Sequence, residues 1–357
     1  MAEKPIVVTG GAGFVGSTLC LMLRRRHPGR TVVAFDNLRR RGSELNMRRV
    51  VDAGCTFVHG DVRRREDLER IGPVDWLIEC SAEASVHAGY GDDPSYVVGT
   101  NLVGAINCLD HLRQHGGRLV FLSTSRIYPI AALRALPLQR AGDRLEIAGG
   151  QSGPGWSNAG IAESFSLDGA RSLYGSTKLA AELLIGEYAT MYGLTAIVDR
   201  CGVLTGPWQM GTVEQGFVAL WLARHVFGGP LSYTGFGGEG LQVRDILHVD
   251  DLADLIALQM DEPDRFQGRP FNVGGGRAVS VSLRELTAAC RAVAGRSVPI
   301  AADPATRDAD IPYYVSDTSR LQEACGWRPT RNVERILEGM HRWLTGHAET
   351  LRPVFAG

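Results

Sequence analysis

The sequence predicts an α/β fold: a Rossmann-type, doubly wound parallel sheet with a smaller C-terminal substrate-binding lobe. Short apolar runs alternate with helix-like stretches over roughly the first two hundred residues. A glycine-rich turn, Gly10–Gly16, follows the first of these runs, and the alternation loosens after about Gly202. Regular strand–helix alternation is typical of a buried parallel sheet with helices on both faces.

The elements are predicted in order from hydrophobic periodicity. A helix is expected after the glycine turn, another around Leu179–Tyr188, and a third at Leu283–Val293. The glycine-rich segment 149–160 is expected to be a loop over the site. The predicted strands are Ile6–Thr9, Thr31–Phe35, Thr56–His59, Trp76–Glu79, Leu119–Leu122 and Thr195–Asp199. We therefore predict a nucleotide-binding domain at 1–202. Residues 203–357 should form mainly the substrate lobe, with some segments returning to the first domain.

Composition excludes several classes of protein. The 357 residues carry 38 Lys and Arg against 39 Asp and Glu, so no basic stripe or acidic tail suggests a nucleic-acid or membrane-surface partner. No two of the seven cysteines have the spacing of a zinc site or redox pair, so reduced thiols and no metal site are predicted. The sequence shows neither a signal-peptide pattern nor a bilayer-spanning apolar run, and a cytoplasmic location is expected.

The glycine turn carries the sharpest local motif. Gly10, Gly13 and Gly16, with Phe14 and Val15 between them, leave a strand and open a helix. Such glycines let the backbone approach a pyrophosphate at the positive end of the helix.

Asp36 ends the next predicted strand, where its carboxylate can accept hydrogen bonds from both ribose hydroxyls. An acidic residue there repels a ribose phosphate, which favours NAD over NADP. The alternative is a tight turn with a solvated Asp36. Asp61 ends the third strand, and either holds the adenine edge or caps a helix.

A second motif is Tyr174-Gly175-Ser176-Thr177-Lys178, in which Tyr and Lys share a helix face. A free phenol, with a pKa near ~10, is a poor base at neutral pH, but a nearby ammonium favours the phenolate. Tyr174 could then deprotonate a carbinol while Lys178 donates to the nicotinamide ribose. A surface Tyr–Lys pair is the alternative interpretation.

Together these motifs resemble those of the extended short-chain dehydrogenase/reductases. In that family the third catalytic residue ends a strand, and Leu122–Tyr128 looks like that segment. The resemblance implies that Thr124 is catalytic and that Leu122 and Ser123 line the nicotinamide side. Further cofactor contacts are implied for Asn37, Asp61, Val62, Ser81, Ala82, Asn101 and Arg200.

The residues that each subclass of the family needs for its reaction reduce the number of reactions this chain could catalyse. The family's 4,6-dehydratases carry Thr-Asp-Glu here, and its decarboxylases usually place Glu at the position of Arg126. This chain reads Thr124-Ser125-Arg126 and supplies neither carboxylate. Oxidation and return of the same hydride remain, and they require only Tyr174, Lys178, Thr124 and NAD.

Among the epimerases, the likeness is greatest to those that invert C2 of a CDP-linked hexose of the paratose and tyvelose type. It implies a CDP-hexose substrate and a homodimer or homotetramer. By the same comparison Arg244 and Arg307 resemble a diphosphate clamp, and Gln215 and Tyr233 sit where the nucleotide is held. The matching stretches are Asp36–Leu38, Arg41–Gly42, Gly160–Ser164, Glu214–Phe217, Gln242–His248, Phe271–Gly275 and Gly326–Pro329.

Two departures from the family pattern bear on the substrate. Tyr128-Pro129 replaces the usual Tyr-Gly, and Glu79–Glu83 replaces the usual His-x-Ala-like strand end. Glu83 and Arg126 are expected in the sugar pocket, where a charged pair would alter which hydroxyls are accepted. A 4-epimerase acting on a UDP-hexose-like substrate is the alternative enzyme. A non-catalytic NAD-binding regulator is the alternative of a different class.

Overall fold

A computed structural model describes residues 3–212 and 215–355, so Glu214 lies outside the described residues. The strands are β1 (Ile6–Thr9), β2 (Val32–Asp36), β3 (Thr56–His59), β4 (Trp76–Glu79), β5 (Arg118–Thr124), β6 (Leu138–Ala141), β7 (Arg144–Ile147), β8 (Trp156–Ser157), β9 (Gly160–Ile161), β10 (Ala196–Cys201), β11 (Val203–Thr205), β12 (Leu231–Thr234), β13 (Val243–His248), β14 (Pro270–Val273), β15 (Ser280–Ser282), β16 (Ile300–Asp303) and β17 (Tyr313–Tyr314). The helices are α1 (Phe14–Arg26), α2 (Ser43–Asp52), α3 (Arg65–Glu69), α4 (Ser95–Val98), α5 (Gly104–His115), α6 (Ile130–Arg134), α7 (Leu173–Tyr192), α8 (Phe217–Phe227), α9 (Val249–Asp261), α10 (Leu283–Ala294), α11 (Ser319–Cys325), α12 (Val333–Gly346) and α13 (Ala348–Phe355). Within the described ranges, no helix combines the length and apolar character needed to cross a membrane.

The chain forms two compact units. The first comprises the residues up to Ile127, Ser172–Arg200 and Leu252–Phe271. The second comprises Tyr128–Arg171, Cys201–Asp251 and the residues from Asn272 onward. The predicted division at residue 202 remains a prediction about which segments carry cofactor and which carry substrate.

The central sheet confirms the predicted Rossmann-type fold. Its seven strands run in the order β3-β2-β1-β4-β5-β10-β14, and the pairs from β3 to β5 are parallel. Every residue of β1 is buried, as expected for a strand covered on both faces. The chain reverses its direction across the sheet between β1 and β4, a topological switch point at which such folds bind ligands.

The second unit is built on smaller sheets. One has the order β11-β13-β15, with β17 also pairing with β13, while β12 pairs with β16. Helices α8, α10 and α12 pack against one another. The segment 149–160, expected to be a loop, contains β8 and the start of β9, which form a short antiparallel pair.

Candidate cofactor and catalytic site

The glycine turn is shaped by close backbone contacts. Gly10 has a φ of +63°, which an L side chain rarely adopts. A Cβ on Gly16 would lie 2.1 Å from the carbonyl oxygen of Gly10, and one on Gly11 would lie 2.6 Å from the Cα of Ala34. The turn leads directly into α1, whose N-cap residue is Gly13. This open backbone at a helix N-terminus fits the pyrophosphate of a dinucleotide.

Asp36 ties the end of β2 to this turn. Its Oδ2 accepts a hydrogen bond from the Ala12 backbone N–H at 3.0 Å, and its Oδ1 accepts one from Leu38 at 2.7 Å. Burial raises the pKa of the Asp36 carboxyl, and both backbone donors oppose that rise. Asp36 therefore stabilises the turn, and its contact with ribose remains a prediction.

Asp61 forms an ion pair instead of capping a helix. Helix α3 has Arg64 as its N-cap residue, so the capping alternative does not hold there. The Asp61 carboxylate contacts the Arg63 guanidinium at 2.7 Å and accepts from the Asn37 amide at 3.0 Å. Burial raises the pKa of Asp61, but these hydrogen bonds lower it to about 2. The carboxylate is thus ionised and fixed beside Asn37 and Val62.

Asn101 fixes the loop that follows β4. Its side-chain oxygen accepts from the Glu83 backbone N–H at 2.8 Å, and its amide donates to the Glu83 carbonyl at 3.0 Å. Asn101 lies on a π-helical turn, a feature frequent at functional sites. The two hydrogen bonds fix the end of the loop that carries Ser81 and Ala82, two of the predicted cofactor contacts.

Tyr174 and Lys178 lie one turn apart on α7. The Ser172 side chain caps this helix by accepting from the Gly175 N–H at 3.3 Å. Tyr174 is 9% exposed and Lys178 is 2% exposed, which excludes a surface pair. The Lys178 ammonium lies 3.2 Å from Oε2 of Glu79 and 4.3 Å from the centre of the Phe121 ring. A buried tyrosine and a buried lysine one helical turn apart suit base catalysis by a phenol.

Thr124 ends β5 in the same unit. Its hydroxyl is buried and accepts a hydrogen bond from the Arg126 N–H at 3.2 Å. Helix α7 packs against the short 3-10 turn Ser125–Ile127 that follows. The fold therefore brings the turn after Thr124 together with the helix that carries Tyr174 and Lys178.

Glu182, whose side chain is 7% exposed, is a residue that sequence reasoning missed. It lies one turn beyond Lys178, accepts a hydrogen bond from the Ser123 hydroxyl, and contacts the Arg200 guanidinium at 2.8 Å. Two predicted cofactor residues, Ser123 and Arg200, are thus joined through a carboxylate on α7. The signal was available, because Tyr174, Lys178 and Glu182 recur at intervals of four residues.

The lysine content is a second missed signal. The sequence contains two lysines, Lys4 and Lys178, among 38 basic residues. A chain that uses arginine almost everywhere nevertheless has lysine at the motif position. An ammonium and a guanidinium differ in hydration and in the number of donors, so the exception indicates a specific chemical requirement.

Arg244 and Tyr233, two of the predicted substrate residues, make hydrogen bonds to neighbouring residues. The Arg244 guanidinium donates to the carbonyl oxygens of Val243 at 2.7 Å and Ile311 at 2.6 Å. Tyr233 donates to the Thr287 hydroxyl at 2.9 Å and stacks on Trp221 at 6.0 Å.

The backbone carbonyl of Arg307 accepts from Arg134 at 2.8 Å, and the backbone of Gln215 pairs with that of Thr212. The second unit contains Arg244, Tyr233, Arg307 and Gln215, whereas the first unit contains Glu83 and Arg126. Their substrate roles remain predictions.

A glycine-lined dinucleotide turn and a buried Tyr–Lys pair, on a parallel sheet with this strand order, define the short-chain dehydrogenase/reductase class. The chain belongs to the NAD dependent epimerase/dehydratase family, whose sequence profile matches residues 6–274. It is 27% identical over 346 residues to the CDP-paratose 2-epimerase of Salmonella typhi, spanning 95% of this chain and 98% of that protein.

Two solved structures share the fold along almost the whole chain. One is a UDP-glucose 4-epimerase of Thermus thermophilus in complex with NAD, at 29% identity and a TM-score of 0.76, covering 96% of this chain and 99% of that one. The other is a dTDP-glucose 4,6-dehydratase of Streptomyces venezuelae with NAD bound, at 27% identity and a TM-score of 0.78, covering 98% and 99%. NAD is accordingly the cofactor, as the sequence predicts.

Proposed function

We propose that this protein is an NAD-dependent sugar-nucleotide epimerase that inverts C2 of a CDP-linked hexose. The observation that carries the reaction type is the buried Tyr174–Lys178 pair near a strand end that reads Thr124-Ser125-Arg126. Elimination of water would need an acid and a base there, and neither Ser125 nor Arg126 provides a carboxylate. The similarity to a CDP-paratose 2-epimerase supports the choice of carbon and base.

Each side chain has one role in the proposed mechanism. The glycine turn and Asp36 would hold NAD, which would accept the hydride from the sugar carbon and return it. The Tyr174 phenolate oxygen takes the proton of the sugar hydroxyl, and the Lys178 ammonium stabilises that phenolate. The Thr124 hydroxyl hydrogen-bonds to the same sugar oxygen as it becomes a ketone. After the sugar has turned, the Tyr174 phenol gives its proton back to the same oxygen as the carbon is reduced from its opposite face.

The nucleotide end of the substrate is proposed to be held while the sugar turns. The planar guanidinium groups of Arg244 and Arg307 suit bidentate contacts to diphosphate oxygens. Gln215 and Tyr233 are proposed to hold the nucleotide. Binding energy from this remote end restrains a reactive keto-sugar without fixing its ring. Loss of the clamp should therefore release ketone and leave the cofactor reduced.

Turnover in D₂O tests the mechanism and the carbon together. The purified protein is incubated with CDP-, UDP-, GDP- and TDP-hexoses, and the products are examined by NMR. We expect a CDP-hexose inverted at C2 with no deuterium at that carbon. Deuterium at the inverted carbon would show deprotonation through an enol and refute hydride return.

A 4-epimerase acting on a UDP-hexose is the second candidate, because this chain is also similar to a UDP-glucose 4-epimerase over 96% of its length. Inversion at C4 without deuterium would favour it and keep the mechanism. Retention of bound NAD without turnover of any sugar nucleotide would instead favour a non-catalytic NAD-binding regulator. We also propose a cytoplasmic homodimer or homotetramer, and sedimentation equilibrium measures its subunit number.

A further inference from the structure

We propose that Glu79 is a positioning residue for Lys178: its buried carboxylate is the counter-ion that keeps the ammonium charged and fixed. The catalytic consequence rests on the proposed function, whereas the contact itself belongs to the structure. Glu79 ends β4, the strand that neighbours β1 at the switch point, and Lys178 lies on α7. Two separate elements thus bring the charges together.

Burial of both side chains strengthens the dependence of each charge on the other. Both side chains are 2% exposed, and their charged atoms lie 3.2 Å apart. Removal from water disfavours the charged forms of both groups, and pairing restores them. Burial raises the pKa of Glu79, while the Lys178 charge and the Ser81 backbone N–H oppose that rise. The same N–H fixes the carboxylate at the strand end.

The other groups around Lys178 do not replace this charge. The Phe121 ring of β5 offers a cation–π contact with its face. Burial raises the pKa of the Cys80 thiol beside β4 and of the Cys108 thiol on α5 well above the usual value, so both thiols are neutral. Tyr174 shares the helix. Among the charged groups described around Lys178, Glu79 is therefore the one that balances the ammonium.

This geometry gives a chemical reason for the departure of Glu79 from the family pattern. Glu79 stands where the resemblance to the extended short-chain dehydrogenase/reductases predicts a histidine, which cannot carry a negative charge. Without the carboxylate, a buried Lys178 would release its proton more readily, and a neutral amine would no longer favour the Tyr174 phenolate. Glu79 should therefore extend activity toward alkaline pH.

The two-lysine composition allows a direct test by NMR. Protein labelled with ¹³C-lysine should give two Cε signals, with exposed Lys4 as the internal reference. We expect the wild-type Lys178 signal to stay constant between pH 6 and 9. In Glu79→Gln, which preserves the shape, it should move toward the position of a neutral amine within that range. Glu79→Asp should restore a constant signal because it keeps the charge.

The control is Glu182→Gln, which removes the carboxylate one turn further along α7 and should leave the Lys178 signal as in the wild type. An unmoved Lys178 signal in Glu79→Gln would overturn the proposal. If that variant does not fold, wild-type relaxation decides, because a fixed Lys178 Cε should be as rigid as the backbone and unlike Lys4. A mobile Lys178 would then refute the positioning role.

These signals require neither cofactor nor substrate, so they separate this inference from the proposed function. With an active substrate in hand, the alkaline limb of the kcat/KM profile should move at least one pH unit lower in Glu79→Gln. An unchanged profile would remove the catalytic role of Glu79. If no sugar nucleotide is turned over, the proposed function fails while the NMR result stands.

Discussion

Tyr174 and Lys178 are the proposed acid–base pair. Tyr174→Phe and Lys178→Met should each lower turnover by ~10²-fold or more, the usual effect of removing a positioned acid–base group. Thr124→Ala should cost less, because it removes a hydrogen bond and leaves the base in place. Initial rates on the active nucleotide sugar give the comparison, with bound NAD measured after denaturation. A near-normal rate for Tyr174→Phe would place the base elsewhere.

Gly16 has no room for a side chain in the glycine turn. Its added Cβ would lie 2.1 Å from the Gly10 carbonyl oxygen, so Gly16→Ala must displace the turn that precedes α1. We expect loss of most of the NAD that copurifies with the protein, because the turn's N–H groups no longer converge. Gly186→Ala, at an exposed position of α7, is the matched control, since a Cβ there meets nothing within 4 Å. Equal NAD content in both variants would contradict this assignment.

The N-terminal cap of helix α12 allows a direct test of how much one side-chain hydrogen bond stabilises the protein. The Asn332 side chain caps it by accepting from the Arg335 N–H at 3.0 Å. Asn332→Ala should lower the free energy of unfolding by ~1 kcal/mol, whereas Asn332→Asp keeps the acceptor and should cost little. Urea unfolding of the three proteins measures the difference. Equal losses for Ala and Asp would mean that the side-chain oxygen is not the stabilising group.

The limits of the strands could be predicted from the sequence where the hydrophobic pattern of a single strand is clear. β1, β3 and β4 have the predicted limits, while β2, β5 and β10 differ at their ends by one or two residues. The short β8–β9 pair was not predicted, because strands of two residues carry no periodic pattern.

Long-range pairings were equally hidden from the sequence. Glu79 and Lys178 are separated by 99 positions, and only the packing of α7 onto the sheet joins them.

Two buried carboxylates of β10 and β13 make the stability of the protein depend on pH. Burial raises the pKa of Asp199 to about 7 and that of Asp245 to about 6. Between the unfolded value near 4 and these values, the folded state binds more protons than the unfolded state. The free energy of unfolding contributed by these groups is therefore highest at acidic pH and falls as the pH rises toward 7.

Asp199→Asn tests this dependence, because Asn keeps the oxygen that accepts from Gln259 at 2.8 Å. The variant should match the wild type near pH 4 and exceed its free energy of unfolding by more than ~1.4 kcal/mol at pH 8, the equivalent of one pKa unit. Exposed Asp52→Asn is the control and should show no such divergence. Parallel curves for Asp199→Asn and wild type would refute the pH dependence assigned to Asp199.

Because one of the two lysines is buried, cleavage after lysine also measures the local unfolding of the protein. A protease that cleaves only after lysine has two sites, the Lys4–Pro5 bond, whose cleavage would remove four residues, and the bond after Lys178, which lies within α7 and is out of reach in the folded protein. Cleavage there requires opening of the helix that carries Tyr174. The rate at which the full-length band is converted into two half-length bands on a gel therefore measures the opening of α7, and bound cofactor should slow it.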